Sequence, residues 1–198
     1  MRRILFSAAL MLGLGALTPA FASDWQSVIA PADAARLQAL DEAWAKARSE
    51  AEGSDASDLK IVDALHAAGS QAIGDVTGTW QCRTIKVGGG FAPLVRYGWF
   101  KCRISRKGGG LFLEKLTGSQ RTSGYLFEDG ASAHVYLGSW YVQGEQPGVY
   151  AQGGEHLGSE AVQTNHPGRL SRIGAQHLRI EFPYPALEST FDFLELKR

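Results

Sequence analysis

The sequence predicts a mostly β, α+β fold: an antiparallel barrel or curved sheet of about eight strands behind an N-terminal helical hairpin. Three observations carry that expectation. Apolar residues recur at helical spacing before Gly74 and alternate after it. Turn signals then arrive about every eight to twelve residues. The segments between them are rich in Val, Ile, Thr, Tyr, Phe and Trp.

Ahead of this pattern stands a leader. Met1-Arg2-Arg3 precedes an apolar run from Ile4 to Leu17, and Ala20-Phe21-Ala22 precedes Ser23. A basic start, a short apolar core and a small-x-small site predict a signal peptide over residues 1–22, cleaved after Ala22. The alternative, an uncleaved anchor, fits less well, because the apolar run falls short of the roughly twenty residues a spanning helix needs. With Ser rather than Cys at position 23, a lipid anchor on a new N-terminal Cys is excluded. No later stretch reads as a membrane span, so the expected location is the periplasm. Losing Arg2 and Arg3 with the leader leaves 176 residues with 18 basic and 20 acidic groups. That length suits one domain with its own core.

Residues 23–75 read as the helical hairpin, packed on the barrel. Leu37, Leu40, Trp44 and Ala47 fall on one stripe of a helix from Pro31 to Ala51, which Gly53 and Ser54 end. A second helix, from about Ser57 to Ala68, offers Ile61, Leu65 and Ala68, with Gly69 as its stop. Residues 76–198 read as the barrel, with strands near 78–87, 95–106, 110–117, 120–128, 132–142, 168–173, 176–182 and 190–197. Glycine clusters at 88–90 and 108–110, with Gly118-Ser119 and Gly174-Ala175, punctuate them. Asp129-Gly130 is the strongest signal for a two-residue primed turn, which needs positive φ. Gln143 to Pro167 is Gly-rich and reads as a long loop with an extra short strand around Val149–Ala151.

The only cysteines, Cys82 and Cys102, predict one disulfide in an exported protein, against the alternative of two buried thiols. A bond across neighbouring strands places Trp80 and Thr84 on the face of Cys82, and Phe100 and Ile104 on that of Cys102. Those faces point inward, and Arg83, Lys101 and Arg103 point outward.

Charge is unevenly spread. From Arg83 to Arg121 nine basic residues face one acid, Glu114, while Ser23–Asp75 carries ten acids and four bases. The ordinary reading is that acidic helices lie against basic hairpins. The sharper one is an anionic ligand, or an envelope or secreted protein bound or inhibited through Arg83, Lys101 and Arg103. Nucleic acid is not expected, as aromatic residues do not interleave with the basic stripe.

Chemical motifs are few. The five histidines show no metal-ligand spacing, and neither a metal site nor a cofactor is predicted. Glu155, His156, Glu160 and His166 form the single acid–base cluster, but no nucleophile is marked beside it, so no catalytic residue and no enzyme activity is expected. Among the aromatics, Trp80, Trp99 and Trp140 are candidates to line or plug a ligand cavity, against the ordinary reading of a packed core. The expected function is non-enzymatic binding of a small apolar or amphipathic ligand.

Gly78-Thr79-Trp80 resembles the Gly-x-Trp of lipocalins, where the Trp plugs a ligand barrel. The chain departs from that family in its two leading helices and its terminal strand. Trp25-Gln26, the Pro31–Trp44 helix, Trp80-Gln81-Cys82-Arg83-Thr84-Ile85-Lys86 and Tyr97-Gly98-Trp99-Phe100-Lys101-Cys102-Arg103 together resemble domain-of-unknown-function family 4893, exported bacterial proteins of this length. That resemblance covers nearly the whole mature chain and implies no activity.

Overall fold

The computed structural model describes residues 24–150 and 164–198. The expected leader, residues 1–22, lies outside the described residues. After a 3-10 turn at Trp25–Ser27, three helices follow: α1 (Pro31–Gln38), α2 (Leu40–Glu50) and α3 (Ala56–Ala67). Nine strands come next: β1 (Gly78–Val87), β2 (Leu94–Arg96), β3 (Phe100–Lys107), β4 (Gly110–Lys115), β5 (Gln120–Asp129), β6 (Ala133–Val142), β7 (Asn165–Gly174), β8 (His177–Pro183) and β9 (Phe191–Lys197). Each pairs antiparallel with its neighbours, and β9 returns to β1, so β1 and β3–β9 close an eight-stranded barrel. The extra strand β2 continues the β3 ladder along β1 beyond a bulge at Tyr97-Gly98-Trp99. One predicted strand is therefore two pieces.

Two local expectations are corrected. The helix expected from Pro31 to Ala51 breaks at Ala39, whose N–H is shared between the Ala35 and Arg36 carbonyls. The two-residue primed turn is not at Asp129-Gly130, where Asp129 pairs with Ala133 and leaves three residues in the loop. It falls at Gly108-Gly109, where Lys107 pairs with Gly110 and both glycines have positive φ (57° and 89°), as such a turn requires. Val149 and Tyr150 lie in no strand, and Ala151 falls outside the described residues.

Alternation divides the barrel wall into two faces. Inward lie Trp80, Cys82, Cys102, Ile104, Leu113, Leu126, Tyr136, Leu170, Leu178, Ile180, Phe182, Leu194 and Leu196, which form one buried cluster. Cys82 and Cys102 are bonded within it, their Cα atoms 5.8 Å apart. Outward, Ile85, Val87, Phe191 and Phe193 are buried under Ala43, Ala47, Ala51, Val62 and Leu65 of the helical segment. The Trp44 ring meets the Phe191 and Phe193 rings edge-on at 5.5 Å.

Polar clamps fix the helices to this wall. Asp33 is buried in α1 and accepts from Arg36 (2.9 Å), Tyr150 (2.7 Å) and Asn165 (2.8 Å). Asp55 caps α3 through the Ser57 and Asp58 N–H groups. At the other end of α3, Arg179 of β8 donates to the free carbonyls of Leu65 and His66, and lies 3.1 Å from Glu181. One ion pair, Arg96 with Asp58 at 2.5 Å, joins the acidic helices to the basic hairpins.

Candidate functional site

The two ends of the barrel differ. Trp80 closes one end: it is 1% exposed, its indole N–H donates to the Val76 carbonyl at 2.9 Å, and the Arg198 guanidinium lies 4.1 Å over its ring. The connections at 88–93, 116–119 and 184–190, with residues 143–150, lie at the opposite end. There the inward positions turn polar. Lys86 follows Trp80, Cys82 and Thr84 on the inner face of β1, Lys115 follows Leu113 on β4, and Asp192 precedes Leu194 and Leu196 on β9.

Three rings make the floor beneath them. The Tyr136 hydroxyl is 2.7 Å from Thr122 Oγ1, and the Phe182 ring meets Tyr136 edge-on at 5.7 Å. His166 stacks on Phe182 at 3.8 Å, with Nδ1 3.3 Å from Thr122 Oγ1. Gly138 is needed for this floor, because a Cβ there would lie 2.1 Å from the Tyr136 hydroxyl oxygen.

Above the floor is a recess of about 60 Å³, lined by Thr84, Lys86, Lys115, Gln120, Arg121, Thr122, Trp140, His166, Asp192 and Pro185–Leu187. That is room for a few waters or one small acidic group, not for a whole lipid. Below the floor the inward side chains, from Trp80 to Leu196, form the buried apolar cluster.

The charges of this recess are unusual for their burial. Lys86 and Lys115 are each 6% exposed, and Asp192 4%. The Lys86 ammonium donates to Glu188 of the β8–β9 connection, and Ser189 Oγ donates to Asp192 at 2.6 Å. Lys115 has Thr84 Oγ1 at 3.3 Å and the Phe100 ring at 4.7 Å. Among the described residues no carboxylate lies within ion-pair distance of it. Burial, reinforced by Lys86, lowers the Lys115 ammonium to about 8, against the pull of Asp192. Burial likewise raises the Asp192 carboxyl to about 6, against the pull of Lys86. Burial and the nearby cations Arg36, Lys86 and Lys115 push the His166 imidazole down to about 3. It is therefore neutral at physiological pH.

The residues singled out in the sequence are dispersed. Trp80 plugs the closed end and Trp140 lines the recess, but Trp99 sits outside the barrel, 40% exposed, between Arg83 (4.6 Å) and Lys197 (5.7 Å). Arg83, Lys101 and Arg103 do face outward from β1 and β3, but not as three free charges. Arg83 donates to Glu195 at 2.6 Å and Arg103 to Glu114 at 2.9 Å, while Lys101 is exposed. Of the acid–base cluster, His166 is in the recess wall; Glu155, His156 and Glu160 lie outside the described residues. No group of three or more metal-ligating side chains occurs among the described residues, and no described helix is long and apolar enough to cross a membrane.

Sequence reasoning missed Lys86, Lys115 and Asp192 as a group. The signal was their parity: each is a charged residue at an inward position of a strand whose other inward positions are apolar or small.

The family model described as "Domain of unknown function (DUF4893)" matches residues 25–196, so the chain belongs to that family. No curated protein matches it. A solved structure titled as a redesigned beta barrel is similar at 8% identity and a TM-score of 0.39, over 62% of this chain and 90% of that one.

Proposed function

We propose that this protein is a non-enzymatic binding protein of the periplasm. Its ligand is a small amphipathic acid, held by its acidic group in the open end of the barrel. The observation that carries the reading is Lys115, a buried ammonium facing a recess with no carboxylate in ion-pair reach among the described residues. A buried cation with only a hydroxyl and a ring beside it is costly, and a ligand carboxylate supplies the counter-charge and further hydrogen-bond acceptors. Lys86 and Arg121 add positive charge, and Thr84 and Thr122 add hydroxyls. The apolar part of the ligand then rests on the rim formed by Trp140, Pro185 and Leu187.

The leader pattern and the Cys82–Cys102 bond support an exported, oxidising location. A binding rather than catalytic role is supported by a neutral His166 stacked on Phe182, whose hydroxyl neighbour, Thr122, is shared with the Tyr136 hydroxyl and the Ser139 carbonyl.

Calorimetric titration of residues 23–198 with octanoate tests the proposal. Wild type is expected to bind at pH 7, and Lys115→Met to lose at least tenfold in affinity. Because the charged form of Lys115 holds the acid, affinity should fall as pH rises through about 8. Binding that is absent, or indifferent to Lys115→Met, would overturn the reading.

A further inference from the structure

Tyr184 and Glu188 are the non-glycine residues with positive φ among the described residues, at 46° and 73°, and both lie in the β8–β9 connection. Such backbone persists only where its surroundings hold it. Here the holding contacts are specific. The Tyr184 N–H donates to the Thr190 carbonyl at 2.9 Å, closing the base of the connection, and the Thr190 N–H donates to Val87 at 3.2 Å. Gly89 lies directly behind the tip. A Cβ at Gly89 would come within 2.6 Å of the Glu188 carbonyl oxygen, which explains a glycine in the 88–90 cluster.

The strained residue is also the one that reaches the recess. Glu188 turns its side chain inward onto the buried Lys86 ammonium, and the Gln120 amide lies 3.4 Å from both its oxygens. The hydrogen bond from Lys86 holds the Glu188 carboxyl below the usual carboxylate range, so it sits there ionised. A side chain 32% exposed on a surface connection has thus placed its carboxylate on the ammonium of Lys86, a side chain 8% exposed in the barrel mouth.

From this geometry we infer that Glu188 is a built-in occupant of the site: its carboxylate marks where a ligand carboxylate binds on Lys86, and the ligand binds by displacing it. The inference rests on the recess being a ligand site and adds two things to that reading. The ligand carboxylate is placed on Lys86 as well as beside Lys115, because a carboxylate is already seated there. The empty protein holds its own site closed. With Glu188 swung out, Lys86, Lys115 and Arg121 face Asp192 as the one carboxylate among the described lining residues, which then carry net positive charge. The apparent affinity is then reduced by the small fraction of molecules with Glu188 displaced, and loss of the seated charge raises it.

Two readouts on Glu188→Gln, which keeps the side-chain shape, test this; Glu188→Ala serves should the first variant fold poorly. The first needs no ligand: the rate at which Lys86 is acetylated by an amine-reactive ester, measured by mass spectrometry against exposed Lys60 as internal reference. Lys86 should react about tenfold faster in the variant. The second is octanoate affinity, expected to tighten about tenfold. An unchanged Lys86 rate overturns the inference. Faster acetylation with unchanged octanoate affinity also overturns it, leaving octanoate bound elsewhere and Glu188 as an ion pair only. Faster acetylation with no octanoate binding in either protein overturns the ligand site itself.

Discussion

At Lys115 the demands of stability and of binding pull apart, and the conflict can be measured. Its ammonium is lowered to about 8 in the fold from an ordinary 10.5, so between those values the folded chain holds fewer protons than the unfolded one. Stability should therefore rise with pH across that window, and Lys115→Met should abolish the rise. Replacing a poorly paired buried charge by an apolar side chain of similar length should stabilise the protein by roughly 1–3 kcal/mol at pH 7 while removing octanoate binding. Denaturant unfolding of the variant checks the sign. A destabilised Lys115→Met would mean that the ammonium is part of the frame rather than of the site. Glu195 on the outer wall is the contrasting case. Burial alone would raise its carboxyl, but hydrogen bonds from His177, Lys197 and Arg83 outweigh burial and hold it at about 2. Its contribution is present above its ordinary 4.5 and lost as pH falls towards about 2. Glu195→Gln should cost roughly 3 kcal/mol near neutrality, since it strands Arg83, and should flatten the acid limb of the stability profile.

The elements were legible to very different degrees. β1 alternates apolar and polar residues from Trp80 to Arg83, and its ends agree with the expected 78–87. The bulge at Tyr97-Gly98-Trp99 left one signal in the sequence, Gly98 inside an otherwise strand-like run, where the chain turns along β1. The helix break at Ala39 was hidden: alanine is the best helix former, and tertiary packing of α1 against β7 and β8 set the break there. Trp99 has the odd parity of outward Lys101 and Arg103, so plain alternation back from Cys102 already places it outside the barrel, 40% exposed. The helices themselves depend on the barrel wall more than on each other. Arg179 carries the C-terminus of α3, so Arg179→Met should leave the Leu65 and His66 carbonyls unsatisfied. Amide exchange over Ala56–Ala67 should then quicken by at least tenfold while the strands stay protected. Equal loss of protection in the strands would show that α3 is no separate unit.

At the scale of the whole molecule, closure is what creates the site. Lys86, Lys115, Thr122, His166 and Asp192 come from β1, β4, β5, β7 and β9, and meet only because β9 pairs with β1. No spacing in the sequence announces them, which is why aromatic residues and an outward basic stripe stood out instead. The disulfide works at this scale too, joining β1 to β3 inside the filled half. Replacing Cys82 and Cys102 by Ser should cost roughly 3 kcal/mol, a fall of about 10 °C in Tm for a chain of this size, with the octanoate site intact in the folded fraction. The account's central claim is that the closed barrel keeps a buried ammonium waiting for a carboxylate. The most direct measurement is an NMR titration of the Lys115 side chain in protein carrying ¹³C-labelled lysine, with and without saturating octanoate. The prediction is a midpoint near 8 in the free protein that moves up towards the ordinary 10.5 when octanoate is bound. A midpoint already ordinary in the free protein, or one that octanoate leaves in place, would contradict the account.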